Sequence, residues 1–350
     1  MSQPPVRVGL ELTALELDAA GTARAVRGLA EALERRDGVE VVPLAHPRRR
    51  AGRGRVARGL DRELRWWPAG LARAAREGGV DVLHCPVPPG VVRTGAIPLV
   101  VTVHDILPLE HPGWYSHAHV AQQRLALRGA LRRAAAVVAP SAATADAVAA
   151  RFGVRPRVVP WGVDARFSPG EATPPIGGPY VVTVATLQPR KNLEALLAAW
   201  PHVSAPHTLV IVGARGWHDA DLAREIGDSP QFRVTGRVGD EELVELLRGA
   251  DALVHPSRHE GFGFPPLEAM ACGTPVVVAN AASLPEVVGD AGVLVDVDDP
   301  VALARALDDL LGDPARRAEL RERGLARAAA FTWDACAAAM EDVYREAHGG

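Results

Sequence analysis

Lys191 is the only lysine among the 39 Lys and Arg side chains of this 350-residue chain, and it lies in Thr186-Leu187-Gln188-Pro189-Arg190-Lys191-Asn192. An ammonium is a compact point charge, whereas a guanidinium is a broad planar fork. In a sequence that uses arginine everywhere else, one surviving lysine marks a place that needs a compact cation, and phosphate is the usual partner. Chance retention on a surface loop is the alternative on lysine count alone. A second segment sharpens the choice: Glu260-Gly261-Phe262-Gly263-Phe264-Pro265-Pro266-Leu267-Glu268, directly after an apolar run. Gly261 and Gly263 let backbone approach a ligand closely. The helix expected next offers free N–H groups and a positive dipole end, an anion site. Glu260 falls on the loop and Glu268 about one turn into the helix, so that both face one cleft and reach opposite ends of one ligand. A glutamate accepts two hydrogen bonds from vicinal hydroxyls, as a ribose or hexose presents them. Taken alone, Glu268 reads equally as an ordinary helix-face carboxylate.

These residues need a scaffold, and the length bounds it. A chain of 350 residues exceeds what one core usually serves, so two domains are expected. The 48% hydrophobic content with ample Gly and Pro is that of a globular protein. No apolar run reaches the roughly 18 residues needed to span a bilayer, and the N-terminus lacks the pattern of a secretory signal. Cys85, Cys272 and Cys336 are scattered, without CxxC spacing, and read as reduced core thiols of a cytoplasmic protein.

Strand-like runs alternate with helical spacing throughout. In the first half the runs are 6–10, 39–43, 80–84, 98–103, 135–139 and 157–159. In the second they are 180–184, 208–212, 232–235, 252–254, 275–278 and 293–295. Helical spacing is clearest over 22–35 and 120–133. Continuous apolar strands alternating with helices imply parallel sheets covered on both faces. Pro and Gly cluster over 161–179, which is linker chemistry. The expected fold is therefore α/β, two Rossmann-like, doubly wound domains facing a cleft. Their bounds are 1–165 for the first, 166–179 for a linker and 180–330 for the second, with 331–350 as a C-terminal helix. The charge is split: residues 1–165 carry 23 Arg against 15 Asp and Glu. Residues 166–350 carry 16 basic against 27 acidic side chains, and the whole sums to −3.

The Glu260-x7-Glu268 segment, continued by Ala269-Met270-Ala271-Cys272-Gly273-Thr274-Pro275-Val276-Val277, resembles the signature of family-4 retaining glycosyltransferases, which have the GT-B fold. Four further segments fit the same family in the same order. Val101-Thr102-Val103-His104-Asp105 resembles its acceptor-side strand end, and Trp161-Gly162-Val163-Asp164 the close of its first domain. The 186–192 segment resembles its diphosphate-binding turn. Ser283-Leu284-Pro285-Glu286-Val287 with Gly289-Asp290-Ala291-Gly292 resembles the strand and loop after its nucleotide site. The resemblance covers essentially the whole chain.

It implies that Glu268 binds ribose hydroxyls, Glu260 the transferred sugar, and Lys191 the donor diphosphate, with Gly261, Phe262 and Gly263 in the donor-binding loop. It implies that His104 lies beside the anomeric carbon, that Gly21 forms the tight turn after the first strand facing the phosphates, and that residues 331–350 return to the first domain. Two departures stand out. Thr186 occupies a position where many members carry arginine, so Arg190 supplies the second cation. Ala20 and Ala23 stand where glycines are common. Without the resemblance, His104 reads equally as a satisfied structural histidine, and Asp105, a catalytic candidate beside His104 and Glu260, reads equally as a helix cap or a core hydrogen-bonding residue.

The implied reaction is transfer of a hexose, with retention, from a nucleotide-diphosphate sugar to a hydroxyl of a glycan, lipid-linked or natural-product acceptor. Segment 110–116 and Pro189-Arg190-Lys191-Asn192 resemble the mannosyl- and rhamnosyl-transferase branch, which favours GDP-mannose. No cofactor is expected, and no metal: Asp296-Val297-Asp298-Asp299 precedes Pro300 and reads as a helix cap. An epimerase or phosphorylase of the same fold, or a silent nucleotide-binding scaffold, stands as the alternative. Arg48, Arg49, Arg50, Arg53, Arg55, Arg58, Arg62 and Arg65 run into Trp66-Trp67. This pattern suits the anionic inner face of a membrane, or a solvated arginine-rich stretch with the tryptophans packed inward. No nucleic-acid motif accompanies the charge.

Overall fold

The computed structural model describes residues 4–16, 20–46, 61–88, 93–173, 176–186, 188–213, 226 and 229–349. Arg48, Arg49, Arg50, Arg53, Arg55, Arg58 and Leu187 lie outside these residues. All twelve apolar runs form strands, with ends shifted by at most two residues. β1 (Val6–Glu11), β2 (Val39–Leu44), β3 (Val82–Cys85), β4 (Leu99–Thr102), β5 (Ala134–Ala139) and β6 (Arg157–Val158) make one parallel sheet in the order β2-β1-β3-β4-β5-β6. β7 (Tyr180–Val184), β8 (Thr208–Val212), β9 (Phe232–Gly236), β10 (Ala252–His255), β11 (Val276–Ala279) and β12 (Val293–Val295) make a second, ordered β12-β11-β10-β7-β8-β9. Every residue of β3, β4, β10 and β11 is buried. Covering both faces of a strand removes any need for polar alternation, which is why these runs read as unbroken apolar stretches.

The chain forms two compact units, Met1–Gly162 with Thr332–Gly350, and Val163–Phe331. The first contains helices α1 (Ala20–Glu34), α2 (Leu71–Glu77), α3 (Leu107–Glu110), α4 (His117–Leu131) and α5 (Ala142–Phe152). The second contains α6 (Leu193–Ala199), α7 (Asp240–Arg248), α8 (Phe264–Cys272), α9 (Leu284–Val288), α10 (Pro300–Leu311) and α11 (Pro314–Ala328). α12 (Trp333–Gly349) packs on the first unit: Tyr344 is fully buried with its hydroxyl 2.8 Å from His84 Nδ1, and Arg36 pairs with Glu341 at 2.6 Å.

Short polar caps set the helix starts. Ser116, Ser141 and Asp313 accept from the N–H three residues on, opening α4, α5 and α11. Asp299 accepts from Val301 N at 2.9 Å and Ala302 N at 3.1 Å, opening α10 as its spacing suggested. Where the chain first leaves the first unit, Gly162 lies against the backbone of Thr332 and Trp333. A Cβ there would fall 2.3 Å from Trp333 N. Backbone cannot swing aside, so Gly162→Ala should cost at least about 2 kcal/mol, read as a lowered urea midpoint at unchanged m-value.

The described residues of the expected linker over 166–179 pack on the second unit. Phe167 and Ile176 are buried, Thr173 N donates to Glu245 at 2.7 Å, and Arg248 Nε donates to Ser168 O at 2.8 Å. Pro and Gly exclude helix and strand there without excluding packing. Trp66 and Trp67 are core residues, each 6% exposed, and Trp66 Nε1 donates to the buried Glu11 carboxylate at 3.3 Å. They cannot meet a membrane. They belong to one hydrophobic cluster with Leu71, Ile106, Leu127 and Val148, so segment Arg62–Gly70 and helices α2 to α5 share a layer over one face of the sheet. The β1 to β2 crossover runs the opposite way along the sheet, and right-handedness places α1, with α12 against it, on the other face.

Candidate active site

In the second sheet the strand order reverses between β7 and β10, which pair in parallel through Val181 with Ala252 and Val182 with Leu253. Ligands of doubly wound sheets sit beyond the carboxyl ends of the strands at such a reversal. The two segments that the sequence singles out are the loops leaving those two strand ends. After β7 the chain makes one 3-10 turn, Pro189–Lys191, and then Asn192 turns left-handed at φ 54 before α6 begins. Asparagine is among the few side chains that adopt this conformation at modest cost. The turn sends Lys191 inward, where it is 7% exposed. After β10 the loop runs from Pro256 to Gly263, whose φ of 117 requires glycine at the entry to α8. Arg258 N donates to Arg190 O at 2.9 Å, joining the two loops.

Glu260 is the centre of the site. Lys191 Nζ lies 2.5 Å from Oε1, Arg190 Nη1 3.0 Å from Oε2, and His255 Nε2 2.9 Å from Oε1. Burial alone would raise the pKa of this carboxyl. The charges of Lys191 and Arg190 outweigh burial and hold it well below the ordinary range. Its contribution to stability is thus complete above the unfolded carboxyl's pKa of about 4.3 and drains away as pH falls below it. Burial lowers the pKa of Lys191, and the Glu260 charge opposes that fall. A guanidinium is broader than an ammonium, so this buried position beside Glu260 favours lysine.

Two residues of the site carried no assigned role in the sequence. His255, the last residue of β10, is fully buried and kept neutral chiefly by burial. Its Nε2 also meets Ser257 Oγ at 3.1 Å, while its buried Nδ1 has no hydrogen-bond partner. The neutral ring therefore donates from Nε2 to Glu260, a fixed orientation that a strand-end residue acquires only through the fold. Ser283 Oγ lies 2.8 Å from Glu260 O and 2.6 Å from Phe262 O, so its one proton is shared between two carbonyls of the glycine loop. The segment carrying it is the short helix α9, not the strand that its resemblance implied. Beside it, Ala282 is held left-handed at φ 50, where L side chains are strained. Ala282→Gly should raise stability by about 0.5–1 kcal/mol, seen as a higher melting temperature, because relief of strain exceeds the added freedom of the unfolded chain.

Glu268 is the fifth residue of α8 and only 2% exposed, unlike a solvated helix-face carboxylate. Phe262 is buried, its ring edge-on to Phe264 and Phe331, so with Gly261 and Gly263 its contribution to a ligand would come from backbone. Arg190 also donates from Nε to Gln188 Oε1 at 2.9 Å. Asp298 pairs with Arg258 at 2.7 Å.

His104, Asp105 and Gly21 belong to the first unit. His104 follows β4, its Nε2 2.9 Å from Pro86 O and its ring 5.6 Å from that of Trp161. Burial lowers its pKa, against the pull of Asp105. Since Nε2–H donates to the carbonyl, Nδ1 of the neutral ring keeps its lone pair. Asp105 is exposed, and its Oδ1 accepts from Leu107 N at 3.0 Å, capping α3. Gly21 is the second residue of α1, not a turn residue, and nothing lies within 4 Å of where its Cβ would be. The helix begins two residues before the 22–35 stretch of helical spacing.

Two doubly wound units, each on a six-stranded parallel sheet, are the architecture of the GT-B fold. Residues 167–327 match the family described as "Glycosyl transferases group 1", and residues 19–167 match "Glycosyltransferase Family 4". The chain belongs to glycosyltransferase family 4. D-inositol 3-phosphate glycosyltransferase 1 of Catenulispora acidiphila is 33% identical over 357 residues, covering 90% of this chain and 82% of that one. O-antigen chain mannosyltransferase B of Escherichia coli is 32% identical over 173 residues, 47% of this chain and less than half, 45%, of the relative. Sucrose-phosphate synthase from Thermosynechococcus elongatus superposes with a TM-score of 0.79 at 23% identity, over 97% of this chain and 98% of that chain.

Proposed function

We infer that this chain transfers a hexose from a nucleotide-diphosphate sugar to a hydroxyl of a glycan, lipid-linked or natural-product acceptor, retaining the anomeric configuration and using no metal. The carrying observation is the buried Glu260 held by Lys191 and Arg190 at the carboxyl ends of the two strands flanking a topological switch. With donor bound, those two cations are shared between Glu260 and the diphosphate. Negative charge grows on the departing phosphate oxygen as the bond to the anomeric carbon breaks, and fixed cations stabilise it. Glu268 takes the ribose hydroxyls and Glu260 the sugar hydroxyls. His104 accepts a hydrogen bond from a sugar hydroxyl at Nδ1 and stays neutral.

The acceptor oxygen bonds the anomeric carbon on the face the phosphate leaves, and its proton passes to the departing phosphate oxygen. A covalent intermediate on Glu260 is disfavoured, because both its oxygens are already held by donors and its low pKa makes it a weak nucleophile. Positive charge for the leaving group comes from Lys191 and Arg190, which supports metal independence. GDP-mannose is the favoured donor, supported by the segment over 110–116 and by the mannosyltransferase relative. The three described cysteines are free and buried, in keeping with a reducing cytoplasm. No helix among the described residues is long and apolar enough to cross a membrane.

A thermal-shift panel of UDP, GDP, ADP, dTDP and CDP tests the reading. One nucleotide at a hundredfold excess over Kd should add about 2.7 kcal/mol, several degrees of Tm, to the wild type and not to Lys191→Ala. A flat panel contradicts a donor site here and favours a scaffold.

A further inference from the structure

Leu125 and Leu64 are the most exposed large hydrophobic side chains among the described residues, at 72% and 70%. Both lie in the helical layer over one face of the first sheet, Leu125 on α4 and Leu64 in segment Arg62–Gly70. α4 buries Ala126, Leu127, Ala130 and Leu131, with Val120 packed against the same core. Successive helix residues turn by about 100°, which sets Leu125 opposite that buried stripe. Around it on the exposed face stand Ala118, Ala121, Arg128 and Arg132, with Arg124 at the margin.

This face has no charge balance. Residues 111–145 contain four arginines (124, 128, 132 and 133) and no Asp or Glu. No carboxylate among the described residues pairs with any of those four arginines. On segment Arg62–Gly70 and α2, by contrast, Arg65 pairs with Asp61 and Arg73 with Glu77. Two partly exposed aromatic rings precede α4: Trp114 stacks on His111 at 4.2 Å, and Tyr115 on His119 at 5.4 Å. Such amphipathic rings favour the headgroup level of a bilayer.

We propose that this face of α4 docks on an anionic phospholipid surface, with Leu125 entering the acyl boundary and Arg124, Arg128 and Arg132 meeting the headgroups. A soluble polyanion would satisfy the arginines and leave Leu125 and the rings in water. A lipid surface satisfies both kinds of group. The inference is independent of the donor chemistry, and it replaces the buried Trp66-Trp67 pair with a side chain that is exposed.

The test is co-sedimentation of the full chain with vesicles of phosphatidylcholine alone or mixed with phosphatidylglycerol, at low and high salt. Wild type should pellet only with the anionic vesicles and be released by salt. R124Q/R128Q/R132Q should partition roughly a hundredfold more weakly. Leu125→Ser should weaken binding severalfold while leaving its salt dependence unchanged. All four positions are exposed, and matching thermal melts will show the variants folded. The proposal is overturned if wild type stays in the supernatant, or pellets equally with both vesicles. It is also overturned if the α4 variants bind as wild type while Arg48, Arg49, Arg50, Arg53, Arg55 and Arg58 changed together to Gln abolish binding.

Discussion

Glu260→Ala should destabilise the second unit by about 3–5 kcal/mol, because it leaves a buried cation without its counter-charge. Lys191 is 7% exposed, burial lowers its pKa, and the carboxylate 2.5 Å away opposes that fall. Remove that carboxylate and burial, together with the Arg190 charge, acts unopposed on the ammonium, lowering its pKa further. A base whose folded pKa is depressed favours the folded state as pH rises from that pKa toward the unfolded value of about 10.4. The deficit of Glu260→Ala should therefore shrink on moving from pH 7 to pH 9.5, the reverse of a lost surface salt bridge. Lys191→Met combined with Glu260→Leu should recover most of the loss, since replacing a whole buried pair with apolar groups is often nearly neutral. Urea melts of wild type and the two variants at two pH values give every quantity needed. A Glu260→Ala melt within 1 kcal/mol of wild type, or one equally depressed at both pH values, would show that Lys191 does not depend on Glu260 in this way.

The largest effect on turnover should come from Lys191 itself. Removing one fixed donor from a site that stabilises developing negative charge costs about 10²–10³ in rate, and Lys191→Ala should lower kcat/KM by that factor. Lys191→Arg should rescue little of it. The ammonium is buried 2.5 Å from Glu260, and the broader planar fork should displace Glu260 or turn out toward solvent. A Lys191→Arg variant with kcat/KM within threefold of wild type would remove the physical reason given for the chain's one lysine. His255→Leu should act differently, lowering kcat while leaving nucleoside diphosphate affinity unchanged, because it frees Glu260 without touching Lys191. His255→Gln, which keeps an N–H, should restore part of that kcat.

Parallel strands buried on both faces write their positions directly into sequence as apolar runs, and all twelve strands were legible for that reason. Lys191 and Glu260 were legible because one is unique and the other sits in a glycine loop after a strand. Their contact was not, since the residues pair only when β7 and β10 become neighbours in the sheet. The same limit hid His255, an unremarked strand-end residue whose ring reaches Glu260 five residues on. The burial of Trp66 and Trp67 stayed open in the sequence because adjacent arginines mask it. A buried acceptor on β1, Glu11, draws Trp66 inward, and no local pattern reports a partner 55 residues away. Gly21 was placed by resemblance where the chain is already helical.

The central claim is that the Lys191–Glu260 cluster works on a nucleotide-diphosphate sugar. Its most direct test is release of nucleoside diphosphate from a panel of sugar nucleotides, GDP-mannose first, with wild type, Lys191→Ala and a folded Glu260→Gln. One donor should be consumed by wild type, slowly with water alone and faster with an added acceptor, and left intact by both variants. Consumption of no donor, or equal consumption by wild type and Lys191→Ala, would contradict the account.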